Sequence, residues 1–231
     1  MTVLLALVLA ATPGLDARVV QFAGATFQVV TLDTTKLDVA VRRTCDDAKP
    51  CETLARAKQG RVFATNAGIF EPGLVPTGLL VEGGTQVSPL NTAKGEGNFF
   101  LSPNGVFFVS PRGVPMVLDT ASYARALPTV TSATQSGPLL VHHGIINAAF
   151  TEASKNVNVR SAVGVRGRDV VVVRSVGEVN FFTLASLFKL ELRVDDALYL
   201  DGFISELVVD GLEPASKPFR SFAAFLVAKP R

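Results

Sequence analysis

A chain of 231 residues, 48% hydrophobic and 18% charged, is long enough to bury one self-sufficient core and too apolar to be disordered. Its 22 basic residues barely exceed its 20 acidic ones, and no basic run is interleaved with aromatics, which argues against nucleic-acid binding. Past the N-terminus no apolar stretch approaches the roughly 20 residues that cross a bilayer, so no stable membrane span is expected.

Residues 1–17 have the layout of a secretory signal peptide: an apolar block at 3–11, a Pro13-Gly14 break, and a short region ending in Leu15-Asp16-Ala17. The layout departs from the usual one in having no Lys or Arg before the apolar block. With export expected, Cys45 and Cys51 read as a short-loop disulfide, because a metal site would need more ligands than two nearby thiols. The expectation is a periplasmic or secreted protein whose residues 18–231 form a single domain.

Residues 26–32 and 37–41 alternate apolar and polar side chains, predicting a strand pair turned at Asp33-Thr34-Thr35. Pro50 opens a short helix over 52–58 that Gly60 closes, and residues 61–65 read as a strand running into Asn66-Ala67-Gly68. Strands are expected at 77–82, 98–102 and 106–110, with Pro103-Asn104-Gly105 making a tight hairpin of the last two. A short helix over 119–125 and a strand over 139–143 follow. Residues 163–166 and 170–174 are apolar enough for central strands joined by Gly167-Arg168-Asp169. Thr183 is the expected cap of a helix carrying Leu184, Leu187, Phe188 and Leu192 on one face, before strands at 197–200 and 221–227. The sum is a sheet-dominated α+β domain with a mixed or antiparallel β-sheet and two or three short helices.

Several chemistries are set aside. No Gly-x-Ser-x-Gly elbow, phosphate loop, dinucleotide fingerprint or zinc spacing is present. His142 and His143 are neighbours in a predicted strand, which would send them to opposite faces and prevent them from sharing a metal. Neither metal nor cofactor is therefore expected. Attention falls instead on polar residues at strand ends: Asn66, Arg160, Asp201 and Ser205, with Glu71, Glu96, Asn98 and Glu178 as further candidates. In Leu198-Tyr199-Leu200-Asp201-Gly202 an apolar run ends in one acid before glycine; taken alone, a plain Asp-Gly turn is the better explanation.

In combination these segments resemble a known family. Asn66-Ala67-Gly68-Ile69-Phe70, Pro76-Thr77-Gly78-Leu79, Asn98-Phe99-Phe100, Asn104-Gly105-Val106-Phe107, Gln135-Ser136-Gly137-Pro138, Arg160-Ser161-Ala162-Val163-Gly164-Val165 and Leu200-Asp201-Gly202 are similar, in that order, to bacterial phosphodiester glycosidases. That group is related to the lysosomal enzyme that removes N-acetylglucosamine from its phosphodiester on mannose. The resemblance implies an α+β catalytic domain hydrolysing a small-molecule or polysaccharide substrate that carries a sugar-1-phosphodiester, in a setting linked to exopolysaccharide. It makes Asp201 the base or nucleophile and gives Arg160 the phosphate. Asn66 and Ser205 would orient hydroxyls, with Gly68, Asn98, Ser136 and Gly202 completing the binding set. A second carboxylate is expected from Glu71 or Glu96, with Glu178 and Glu206 as weaker options. One departure stands out: where the mammalian-type branch reads Asp-Gly-Gly-Gly-Ser, this chain has Asp201-Gly202-Phe203-Ile204-Ser205. Apolar residues there leave a second reading open, a glycan-binding protein on the same fold without turnover.

Overall fold

A computed structural model describes residues 12–201, 204–215 and 220–231. The apolar block at 3–11 lies outside the described residues, as do Gly202 and Phe203. Leu15, Asp16 and Ala17 begin the strand Leu15–Phe22, which pairs along its whole length with Ala25–Asp33.

Three sheets meet around one core. The largest has seven strands in the order Leu15–Phe22, Ala25–Asp33, Asp169–Ser175, Ser161–Arg166, Asp196–Asp201, Leu139–His142, Ile145–Ile146. A five-stranded sheet is centred on Gly105–Val109 and Ser132–Ser136, and a four-stranded sheet runs Leu207–Val209, Phe63–Asn66, Phe225–Pro230, Leu37–Arg42. Every strand pairing among the described residues is antiparallel. Three short α-helices, Leu54–Lys58, Thr120–Ala126 and Phe181–Ser186, complete the α+β domain. None of the described helices is long and apolar enough to cross a membrane.

The unbroken valine run Val170–Val173 is explained by burial on both faces. Val170 and Val172 join Val30, Phe63, Phe107, Leu198 and Leu226 in the core between the sheets. Val171 and Val173 face the other way, into a layer made by Leu184, Leu187 and Phe188 of the covering helix. Cys45 and Cys51 form the expected disulfide, with Cα atoms 5.0 Å apart, and it packs with Leu54, Phe222 and Phe225.

The structure corrects four sequence expectations. Ala25–Asp33 and Leu37–Arg42 do not pair: both edges of the first are already filled by Leu15–Phe22 and Asp169–Ser175, so the second crosses to Phe225–Pro230 in another sheet. Asn98–Phe100 is a turn of 3-10 helix entered through Gly97 at φ +85°, not a strand, and Gly105–Val109 takes Pro115–Asp119 as its hairpin partner. The third helix is capped by Asn180, whose Oδ1 accepts from Thr183 N at 2.9 Å, and its last turn Leu187–Glu191 widens to a π-helix. Finally, the strand ends at His142. His143 has φ +48° and Gly144 φ +73°, so the chain folds back and the two imidazoles sit with centroids 3.9 Å apart, tilted by 33°, instead of parting to opposite faces.

Candidate active site

The Asp196–Asp201 strand is central in the large sheet because Ala197 to Leu200 are wholly buried, and it ends where Asp201 becomes half-exposed. Its ladder with Ser161–Arg166 is irregular at that end. Ser161 opposes Asp201 and Ala162 opposes Tyr199, leaving Leu200 as an extra residue. Such bulges re-aim a side chain at a strand end, and here the affected residue is the candidate acid.

Buried hydroxyls and one amide grip the main chain around the bulge. Ser136 Oγ donates to the Leu200 carbonyl at 3.0 Å, and Ser205 Oγ donates to the Asp201 carbonyl at 2.8 Å. Ser161 Oγ lies 3.3 Å from the same Asp201 oxygen and 3.2 Å from Ser205 Oγ. Asn66, only 1% exposed, donates from Nδ2 to Ser161 Oγ at 2.9 Å and accepts the Glu206 N–H on Oδ1 at 3.2 Å. Asn66 ends a strand of the four-stranded sheet, so this network ties two sheets together at the residue that carries the carboxylate. The carboxylate is itself fixed in part, since Asp201 Oδ1 accepts from Ile204 N at 3.5 Å.

Gly68 sits two residues beyond Asn66, where the chain runs against the Ser132–Ser136 strand. Its N–H donates to Thr134 Oγ1 at 3.2 Å. A Cβ there would fall 2.8 Å from that same Oγ1 and closer still to the Gln135 carbonyl oxygen, so only glycine fits without a backbone shift. Gly68→Ala is accordingly expected to lower unfolding free energy by about 1–3 kcal/mol, measured by denaturant titration.

Arg160 has no exposed surface. Its Nε donates to the Val179 carbonyl at 2.8 Å, Nη1 to Tyr199 Oη at 3.3 Å, and Nη2 to the Asn156 carbonyl and side-chain oxygens at 3.0 and 2.9 Å. The guanidinium also stacks 3.8 Å over the Phe181 ring. Burial holds it below the usual guanidinium value while Tyr199 opposes the shift, and an arginine remains cationic at neutral pH regardless. Burial likewise pushes the Tyr199 hydroxyl well above the ordinary phenol range. The Arg160 charge works against that, the Asp201 charge adds to it, and hydrogen bonds from Arg160 and Asn98 pull it down. Asn98, Asn156 and Phe181 line a cavity of about 160 Å³, so Arg160 lies directly behind its wall. A larger cavity of about 1040 Å³ opens beside Asp38, Lys229 and Arg231, at the opposite end of the Phe225–Pro230 strand from Asn66.

The predicted residues thus divide. Asn66, Ser136, Arg160, Asp201 and Ser205 converge on one end of the large sheet, Asn98 stands beside Tyr199, and Gly68 packs against the neighbouring strand. Glu71 is exposed in a two-residue ladder and accepts from Thr77 Oγ1 at 3.1 Å; Glu96 and Glu178 are exposed too. None of these three enters the described hydrogen-bond network around Leu200 and Asp201. Glu206 is buried beside Ser205 and accepts from Arg220 N at 3.2 Å. Ile204 turns away to pack on the disulfide cluster.

Two participants escape sequence reading. Tyr199 looks like one more apolar strand residue. Arg174 closes the Val170–Val173 run and is 5% exposed, with Nε on the Ser205 carbonyl at 2.9 Å. Burial lowers its value and the Glu206 charge raises it. An arginine ending an all-valine run is the same strand-end signal that singles out Arg160.

Comparison with known proteins gives the family and a similar fold. The chain is 38% identical over 156 residues, 66% of its length, to the Escherichia coli (strain K12) protein named "Uncharacterized protein YigE", and the match spans 60% of that relative's length. Its fold is similar to the zebrafish N-acetylglucosamine-1-phosphodiester alpha-N-acetylglucosaminidase catalytic domain, auto-inhibited by its pro-peptide, with a TM-score of 0.69 at 17% identity over 96% of this chain and 85% of that one. Residues 59–228, which include every residue placed in the site above, match the phosphodiester glycosidase family model, and the chain belongs to that family.

Proposed function

We propose that this protein is an extracytoplasmic hydrolase that splits a sugar-1-phosphodiester of a cell-envelope or exopolysaccharide glycan at the anomeric carbon. The observation that carries the reading is the convergence of a half-exposed carboxylate, Asp201, with a buried cation, Arg160, at one bulged strand end. Family membership supplies the substrate class. The Cys45–Cys51 disulfide supports an oxidising compartment, as does the apolar block expected to act as a signal peptide.

In this reading Asp201 acts on the sugar side of the bond, as nucleophile or as the base that activates water. Pinning of its main chain by Ser136, Ser161 and Ser205 means that little reorganisation is needed as charge develops. A departing phosphate is already a fair leaving group, so the reaction does not depend on a second carboxyl group to protonate it. Arg160 plays a different part from the exposed fork that its sequence position implies. With its donors held by Val179, Tyr199 and Asn156, it acts as a fixed positive charge behind the cavity wall, in a low-dielectric setting where such a charge reaches further than in water. Asn66 positions the strand end and does not orient substrate hydroxyls, because its amide is spent on Ser161 and Glu206.

The test is hydrolysis of a sugar-1-phosphodiester in ¹⁸O-labelled water. Label in the released sugar is expected. Label in the phosphate would move the cut to the P–O bond and remove Asp201 from the reacting carbon.

A further inference from the structure

We propose that His142, His143 and Asp196 form a binding site for one late first-row divalent cation of the zinc class, at the end of the Asp196–Asp201 strand opposite Asp201. The chain contains two histidines, and the fold places both at the same carboxylate. Asp196 Oδ1 lies 3.1 Å from His142 Nδ1 and 3.9 Å from His143 Nδ1, and the three candidate ligand atoms all lie within 4.8 Å of one another. A zinc ion with ligands at about 2.0–2.1 Å in tetrahedral geometry separates neighbouring donor atoms by roughly 3.4 Å. These atoms therefore reach bonding positions by a movement of about an ångström. The freedom for it resides in His143, whose side chain is 72% exposed.

Backbone geometry assembles the cluster. Left-handed His143 and Gly144 reverse the chain, the His143 N–H donates to Asp196 Oδ1 at 2.9 Å, and Gly144 N donates to the Asp195 carbonyl at 2.8 Å. A non-glycine residue held at positive φ marks a place where the surroundings over-determine the conformation. A second observation comes from the far side of the ring. Asp119 Oδ2 stands 3.7 Å from His142 Nε2, and Asp119 is itself fixed as the cap of Thr120–Ala126 by the Ser122 N–H at 2.9 Å. A carboxylate hydrogen-bonded behind a ligating imidazole sets ring orientation and basicity in metal centres, and Asp119 stands within a few tenths of an ångström of that position. Lys189 is engaged with Asp195 at 3.3 Å, which leaves Asp196 and Asp119 to the histidines.

Imidazole nitrogen with a carboxylate oxygen suits zinc, copper or nickel better than calcium or magnesium. Three protein ligands leave at least one coordination position for water. The ion would fasten the reversal after Leu139–His142 to the first residue of the strand that carries Asp201. At about 3.4 Å per residue the two ends of that strand are some 17 Å apart, so the ion takes no part in the chemistry at Asp201.

The experiment is calorimetric titration of the tag-free, chelator-stripped full chain with zinc chloride, together with thermal unfolding. One equivalent is expected to bind, and at a hundredfold excess over Kd the Tm should rise by roughly 5–10 °C. His143→Asn tolerates the left-handed backbone but removes a ligand, and Asp196→Asn removes the bridging carboxylate; each should weaken binding at least tenfold. Asp119→Asn should weaken it by about tenfold at unchanged stoichiometry. Absence of zinc binding by the wild-type chain, or equal affinity in wild type and His143→Asn, would overturn the proposal.

Discussion

Asp201→Asn is expected to lower kcat on a sugar phosphodiester by on the order of 10³-fold while substrate affinity changes little. The substitution is nearly isosteric, and the serine hydrogen bonds that hold the strand end go to main-chain carbonyls. Ser136 and Ser205 bond the Leu200 and Asp201 carbonyls, which the variant keeps. Asparagine keeps an Oδ1 that can accept the Ile204 N–H, so the Tm should stay within about 4 °C of the wild type, equivalent to about 1 kcal/mol. Steady-state kinetics paired with equilibrium binding of uncleaved substrate checks the outcome. Retention of more than a tenth of wild-type kcat would sink the assignment. A glycan-binding protein on this fold would show no turnover to lose, so the same pair of measurements separates the two readings.

Arg160→Ala is expected to have the largest combined effect on stability and rate. The side chain, itself without exposed surface, donates to Val179, Tyr199 and Asn156 and stacks on Phe181. Truncation takes one donor each from the Val179 carbonyl and the Tyr199 hydroxyl, which keep Asn158 N–H and Asn98 as partners, and opens a cavity, against which the removed cost of burying a cation is a partial offset. A net loss of about 3 kcal/mol corresponds, for a chain of this size, to a Tm lower by roughly 6–12 °C. Arg160→Lys restores the charge but neither the planar fork nor the stack, so its stability should recover little. If Arg160 works as a fixed charge, the lysine variant should regain more of kcat than of Tm. Equal recovery of both would make Arg160 a purely structural residue.

The fold class is legible from hydrophobic patterning, and the reason is local. Val170–Val173 needs a buried strand wherever the rest of the chain goes, and Asp119 caps a helix through its own Ser122. Partner choice is another matter. Whether residues 26–32 pair with 37–41 depends on which edges distant segments occupy, and Asp169–Ser175 comes from more than a hundred residues away. The same limit governs Asn98, where a strand-like Asn-Phe-Phe yields to a 3-10 turn that buries Phe99.

For the site, the sequence by itself determines the inventory. Asn66, Arg160, Asp201 and Ser205 stand out because a polar residue that closes or opens an apolar run has to end up where a buried element meets its boundary. Tertiary structure decides what each inventory member can do. It makes Arg160 a buried charge by closing Phe181 and Tyr199 over it, and it recruits Arg174 and also Tyr199, whose sequence setting is that of an ordinary strand residue. It also reverses the expectation for His142 and His143. Strand alternation holds only while the backbone stays extended, and left-handed His143 and Gly144 bring both rings to Asp196. Spacing along a chain fixes which residues are neighbours in sequence, whereas the direction of a side chain and its access to water follow from backbone angles and from partners supplied by remote segments.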